Sequence, residues 1–256
     1  MNWFWSISER KIKRLIILSV AVLFASGIAY TEKENITVFS KIRNEEPKAI
    51  YNVKTKEKKV ALTFDISWGE EMTTPILDVL EKKEIKNATF FLSSPWSQNH
   101  PKLIQRILDM KYEIGSHGHK HVNYSTLPDE QIRAQILTAE NILTKITGQK
   151  PSLIRFPNGD FDKRVLRIAN ELGYTTIQWD TDSLDWLRPG TDKIIRRVVS
   201  KAHPGDIILF HASDSAPQTA EALSQIIDQL RAKGYQFVTV SQLIAASQIE
   251  LKEIID

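Results

Sequence analysis

The side chains best suited to chemistry in this sequence fall in five short stretches. Asp65 closes the apolar run "ALTFD", where a buried strand of an α/β enzyme would present a catalytic carboxylate. His117 and His121 stand four apart in "GSHGHKH". On one helical turn two imidazoles so spaced point the same way and can share a metal ion, while His119 points elsewhere. Arg155 follows "LI" in "LIRFPNGD", Asp182, Asp185 and Trp186 share "WDTDSLDW", and His211 ends "DIILFH". Each has a plainer use. Two histidines can be solvated surface residues, Asp65 and Arg155 a structural ion pair, and His211 a packed strand end. An ion pair beneath a cleft would instead keep the aspartate ionised and oriented. Trp96, Trp179 and Trp186 are core residues by default, and at a rim one or two could stack on a sugar.

What decides between these uses is the frame that carries the residues. From Val60 onward, short β-branched and aromatic runs alternate with amphipathic ones. The runs "VALTFD", "NATFFL", "YEIGSH", "LIRFP", "YTTIQWD", "DIILFH" and "YQFVTV" read as strands buried on both faces. Between them lie helical patterns, with Asp162 and Pro128-Asp129 as start signals and Gly173 and Gly234 as stops. Strands alternating with helices predict a parallel sheet with right-handed crossovers. About seven βα units without a Gly-rich phosphate loop after the first strand favour an incomplete barrel over a dinucleotide-binding sheet. In such folds the carboxyl ends of the strands share one face, and all five polar stretches fall at strand ends.

Composition narrows the function. The 256 residues contain no cysteine, which excludes disulfides, thiolate metal sites and a cysteine nucleophile. The net charge is +3, and residues 1–30 alone carry +3, from Arg10, Lys11, Lys13 and Arg14 against Glu9. The remainder is neutral, which argues against a nucleic-acid-binding surface. The basic stretch runs into the apolar "LIILSVAVLFASGIAY". Residues 1–30 are therefore expected to be a signal peptide or a signal-anchor helix that exports the rest of the chain. Residues 31–57 read as a polar spacer with a short strand at "KAIYNV", 58–245 as one domain and 246–256 as a tail.

The ordered motifs resemble the polysaccharide deacetylase family (NodB homology domain, carbohydrate esterase family 4) over roughly Val60–Leu243. "TFDIS", "SHGHKH", "RFPNG", "DSLDW" and "LFH" follow the family's TFDD, HxxxH, RxPxG, DxxDW and LxH motifs in order. "TFDISWG" and "HASDSA" are most similar to its sporulation-associated PdaB-type members in Bacillus-like bacteria. The resemblance implies a distorted, incomplete (β/α)7-8 barrel that removes N-acetyl groups from peptidoglycan or a related GlcNAc/MurNAc glycan. It implies a divalent metal, Zn2+, held by His117 and His121, with Asp65 as general base, Arg155 orienting it, and His211 as general acid. It further implies that Asp185 rather than Asp182 supports His211, that a backbone N–H near Asn158 holds the oxyanion, and that Trp186 and Leu209 line the acetyl pocket. The partners implied are the cell-wall glycan and, through residues 1–30, the membrane.

One position departs from the pattern. Where the family carries its second aspartate, a metal ligand, this chain has Ile66. An isoleucine ligates nothing, so the site needs a substitute, for which Asp65 and Glu70 are the candidates, or is weak or inactive. The second expectation is thus a glycan-binding or cortex-assembly protein without turnover, and the third an amide hydrolase working without a tightly bound metal.

Overall fold

A computed structural model describes residues 47–253. The expected signal segment at 1–30 and the spacer up to residue 46 lie outside the described residues. The chain runs β1 (Lys59–Ile66), α1 (Thr73–Lys82), β2 (Thr89–Leu92), α2 (Ser94–Asn99), α3 (Pro101–Asp109), β3 (Glu113–Ser116), α4 (Asp129–Thr147), β4 (Leu153–Ile154) and α5 (Lys163–Glu171). It continues through β5 (Thr175–Thr176), β6 (Thr181–Asp182), α6 (Thr191–Lys201), β7 (Ile207–His211), α7 (Thr219–Ala232), β8 (Gln236–Val238) and α8 (Val240–Glu253). Helix stops and starts fall where the sequence places them. The Asp162 side chain accepts from Val165 N at 2.8 Å and caps α5. Gly173 and Gly234 follow α5 and α7 at φ +90° and +85°. The run "YTTIQWD" differs from expectation: only Thr175–Thr176 of it forms a strand, β5, and a further short strand, β6, follows the run at Thr181–Asp182. Helix α8 runs across residue 245, the expected end of the domain.

All strand pairs within the sheet are parallel, in the order β5-β4-β3-β2-β1-β7-β6, with β8 also on β1. Gln236 N donates to Lys58 O and Ser93 N to Ile66 O, both even-numbered, so β8 and β2 share one edge of β1. The sheet curls without closing on itself: β5 and β6 do not pair. The segment "KAIYNV" lies along that seam. Ile50 N donates to Thr176 O at 2.9 Å, Gln178 N to Ile50 O at 2.8 Å, and Val53 N to Gly205 O at 2.8 Å. Asn52 Nδ2 donates to Asp180 Oδ2 at 2.6 Å, and His203 Nε2 lies 3.0 Å from the same oxygen. The end of the expected spacer therefore bridges the two edges of the sheet.

Strand alternation sorts β1 into two sets. Val60, Leu62, Phe64 and Ile66 belong to the main apolar cluster with Ile76, Leu77 and Leu80 of α1 and Leu223 and Ile226 of α7. Phe64 stacks on its register partners Phe90 and Phe210 at 4.9 and 5.6 Å. Thr63 and Asp65 face the other way, into the barrel, beside their neighbours Leu209 and His211 on β7 and Phe91 on β2.

Candidate active site

The barrel interior ends in a cleft of about 370 Å³ at the carboxyl ends of the strands. Its lining includes Asp65, His117, His121, Asn158, Asp182, Trp186, Leu209 and His211, and also Trp68 and Trp179. Every expected site residue except Arg155 and Asp185 lines it. Those two are fully buried behind Asp65 and His211.

Asp65 is the last inward-facing residue of β1 and is nearly buried. Arg155 Nη1 donates to its Oδ1 at 2.7 Å and to Thr63 Oγ1 at 2.9 Å, while Nη2 donates to Gln178 O at 2.9 Å. The guanidinium sits 4.2 Å over the Phe91 ring and 5.5 Å over Trp179. Burial alone would raise the Asp65 pKa, but Arg155, then His117 and His211, outweigh it and hold the carboxyl below its ordinary value. It is an oriented carboxylate with one oxygen, Oδ2, left for other work.

His117 follows β3 and is buried. Its Nδ1 lies 2.8 Å from Arg155 O; a carbonyl only accepts, so Nδ1 carries the proton and the Nε2 lone pair faces the cleft. Nε2 lies 3.9 Å from Asp65 Oδ2. Burial pushes its pKa down to about 4, and Asp65 only partly opposes this, so the ring is neutral near pH 7. His121 is exposed at the rim, its ring centroid 5.7 Å from that of His117. The pairing was expected, but not the means. No helical turn joins the two rings; residues 117–121 form a loop. Gly118 turns it at φ +76°, where a side chain would run into the Tyr124 hydroxyl. His119 points out of the cleft, its Nδ1 2.9 Å from Ser94 Oγ.

His211 ends β7. Asp185, fully buried, accepts at Oδ1 from His211 Nδ1 at 2.7 Å and from Trp186 N at 2.8 Å. Its Oδ2 accepts from His211 N at 2.8 Å and Thr219 Oγ1 at 2.7 Å. Both carboxylate oxygens are thus saturated, and Nε2 is left facing the cleft. Burial lowers the His211 pKa, but the bond and charge of Asp185 more than reverse this, and the ring titrates above its ordinary value. Asp182 accepts from Leu184 N at 2.8 Å instead, and burial raises its carboxyl. Leu184 and Arg188, flanking the turn Asp185–Leu187, both sit at positive φ, +57° and +53°. Non-glycine residues held there carry strain that the surrounding contacts must offset. Asn158 is likewise left-handed, at φ +59°, with Nδ2 bonded to Asn123 Oδ1 at 2.8 Å.

The donors do not complete a metal site. Catalytic zinc generally takes three protein ligands and a water. Among the described residues no group of three or more His, Cys, Asp or Glu is arranged to hold a metal ion. Ile66 lies on the helix side of the strand with no exposed surface. Glu70, weighed as its substitute, is exposed and outside the cleft lining, its N–H bonded to Asp214 Oδ2 at 3.0 Å. Trp68, Ser67, Ser213 and Ser215 line the cleft and were not singled out from the sequence. For Trp68 the signal was there, in an aromatic three residues past a strand-end aspartate.

An open parallel β/α barrel with an oriented carboxylate and an oriented imidazole at its carboxyl end defines an acid–base hydrolase class of site. The polysaccharide deacetylase family model matches residues 52–177. A Bacillus cereus peptidoglycan-N-acetylglucosamine deacetylase is 36% identical over 197 residues, which is 76% of this chain and 92% of the relative. A Bacillus subtilis protein, YlxY, is 34% identical over 80% of this chain, which spans 63% of that relative's length. Among solved structures, BA3943, described as a CE4 family pseudoenzyme from Bacillus anthracis, superposes with a TM-score of 0.74 at 34% identity, covering 79% of this chain and 71% of that one. A BA3943 mutant is described as having restored enzymatic activity. The chain belongs to the polysaccharide deacetylase family, carbohydrate esterase family 4, and its fold is the distorted (β/α) barrel of that family.

Proposed function

We propose that this protein hydrolyses the N-acetyl groups of a cell-wall glycan, with peptidoglycan as the substrate. The observation that carries this reading is the pair of neighbouring, separately oriented groups on one cleft. Asp65 is held by Arg155 at 2.7 Å and His211 by Asp185 at 2.7 Å. A protein that only binds glycan has no need of either buried partner. The family relationship and the B. cereus deacetylase support the same substrate class.

The chain's own groups divide the work as follows. Asp65, ionised and fixed through Oδ1, takes the proton of the attacking water at Oδ2. His211, protonated on both nitrogens and fixed at Nδ1, gives the proton on Nε2 to the leaving amine nitrogen. A backbone N–H near Asn158, which lines the cleft, holds the oxyanion, and Leu209 and Trp186 receive the acetyl methyl. His117 and His121 are two imidazole donors lacking a third ligand, so the zinc the family implies has no complete site here, and no step above passes through it.

The sporulation setting rests on the likeness of "TFDISWG" and "HASDSA" alone. The place outside the cytoplasmic membrane, whether anchored by residues 1–30 or released after cleavage, rests on the charge and apolar pattern of that segment. Among the described residues no helix is long and apolar enough to cross a membrane.

The second reading, glycan binding without turnover, is favoured by Ile66 and by the likeness to BA3943. Acetate release from N-acetylated peptidoglycan and chitooligosaccharides decides between them. Release by the parent protein but not by Asp65→Asn supports hydrolysis; no release by the parent, with glycan binding intact, establishes the second reading.

A further inference from the structure

Two tryptophans on the cleft are left largely in solvent. Trp68 is 53% exposed and Trp186 is 46% exposed. Both line the cleft, Trp68 on the β1–α1 loop and Trp186 on the β6–α6 loop. A single exposed apolar side chain is ordinary, but these two are large aromatics that line one cleft. The loop under Trp68 is held along its length, so the exposure is not that of a loose segment.

Asp214, on the β7–α7 loop, accepts three consecutive backbone N–H groups. Glu70 N reaches Oδ2 at 3.0 Å, while Glu71 N and Met72 N reach Oδ1 at 3.0 and 3.1 Å. Gly69 packs so close that an added Cβ would fall 2.5 Å from Asp214 Cγ, and its φ is +97°. Gly69 O accepts from Trp96 Nε1 at 2.7 Å, and Ser67 O from Ser93 Oγ at 3.2 Å. Every one of these ties is to backbone; the Trp68 indole is what they present. The opposite loop is tied to the same segment, because Arg188 Nε donates to Ser215 O at 3.0 Å and Nη2 to Asp214 O at 3.4 Å. One short stretch, Asp214–Ser215, thus holds the Trp68 loop and touches the loop that carries Trp186.

We infer that Trp68 and Trp186 form a two-walled subsite for an N-acetylhexosamine oligosaccharide, and that Asp214 is the positioning residue that fixes the Trp68 wall. The inference rests on the glycan reading given above. A pyranose ring has an apolar face of C–H groups and an edge of hydroxyls, which suits a rigid indole that is apolar in body and polar at its N–H. Trp186 stands next to Asp185, behind the reacting group. Trp68, more than half exposed on the lip, takes the sugar flanking the one that reacts. Fixing the wall before binding removes an ordering cost that a mobile loop would incur.

The test is a binding titration of chitotetraose against Asp65→Asn protein, which separates binding from turnover. Trp68→Ala in that background is expected to weaken binding by about tenfold or more, with Trp68→Phe recovering much of the loss. Asp214→Ala is expected to weaken binding when Trp68 is present and to add nothing once Trp68 is alanine. Acrylamide quenching and anisotropy of the Trp68 indole, read by difference from Trp68→Phe, should show the ring loosened in Asp214→Ala. If Asp214→Ala does not fold, Asp214→Asn, which keeps an acceptor but loses the charge, takes its place. Unchanged affinity for Trp68→Ala, or losses for Trp68 and Asp214 that simply add, would overturn the inference. So would the absence of chitotetraose binding in the Asp65→Asn parent. Failure of acetate release alone would refute the hydrolytic reading and leave this one standing.

Discussion

Changing Ile66 to aspartate tests whether the third metal ligand is what the cleft lacks. Ile66 has no exposed surface and packs with Leu62 and Phe64. Losing a buried isoleucine to a smaller side chain costs about 2–5 kcal/mol. A carboxylate left in that cluster would cost several kcal/mol more or take up a proton. Ile66 is the last residue of β1, and Ser67 next to it lines the cleft, so a carboxylate at 66 that reaches the two histidines must leave the apolar cluster by turning the strand end. Ile66→Asp without metal is therefore expected to unfold earlier than the parent by roughly 2–5 kcal/mol. Zinc at 100 times the variant's dissociation constant would return about 2.7 kcal/mol. The parent, short of a ligand and weaker by at least about 100-fold, would gain only about 0.4 kcal/mol at the same concentration. At roughly 2–4 °C per kcal/mol for a domain of this size, the zinc-induced shift is about 5–11 °C for the variant and about 1–2 °C for the parent. Thermal unfolding with and without zinc reads both, and acetate release on the same samples shows whether the added ligand raises the rate. Equal zinc shifts in the two proteins, or none in the variant, would refute the assignment of Ile66 as the missing ligand.

Arg155→Met should destabilise by about 3–5 kcal/mol in urea unfolding, since it leaves Asp65 as an uncompensated buried charge. Adding Asp65→Asn should recover part of that loss, and strict additivity in this double-mutant cycle would count against a coupled pair. Asp185→Asn should lower the His211 pKa, because burial then acts without the carboxylate that reverses it. Histidine NMR titration reads this directly. The sign follows for stability: a raised imidazole contributes most below its ordinary pKa, and the contribution is lost as pH rises through the folded value. Asp185→Asn should therefore flatten the loss of stability on the alkaline side of that window. A fragment starting at residue 58 should be less stable than one starting at 47, by roughly 2–4 kcal/mol for the three backbone bonds of Ile50 and Val53. Equal melting temperatures would show the seam segment to be dispensable.

The sequence by itself determined the alternation of strands and helices, and with it the parallel sheet and the face on which polar strand ends gather. The apolar runs are long enough and the caps clear enough that local chemistry dictates them: Asp162 caps its helix through its own side chain. It also placed Asp65, His117, His121 and His211 at strand ends, which is why they share a cleft. The short strand β6 escaped it: Thr181–Asp182 lies just past the run read as a strand, and two residues have no period to detect. Helix spacing suggested why His117 and His121 should meet, yet a glycine-turned loop joins them. Spacing constrains distance along the chain, and more than one backbone path satisfies it. Which oxygen of Asp65 is engaged, which nitrogen of each histidine faces the cleft, and whether Asp182 or Asp185 supports His211 were decided only by the tertiary structure. Those answers depend on hydrogen bonds between residues 26 to 90 positions apart, where no local preference reaches. The same holds for Ile66. The sequence showed the substitution, and with it the loss of a ligating atom, but only the pleat of β1, turning odd residues inward and even ones to the helices, explains why an isoleucine there strengthens the core.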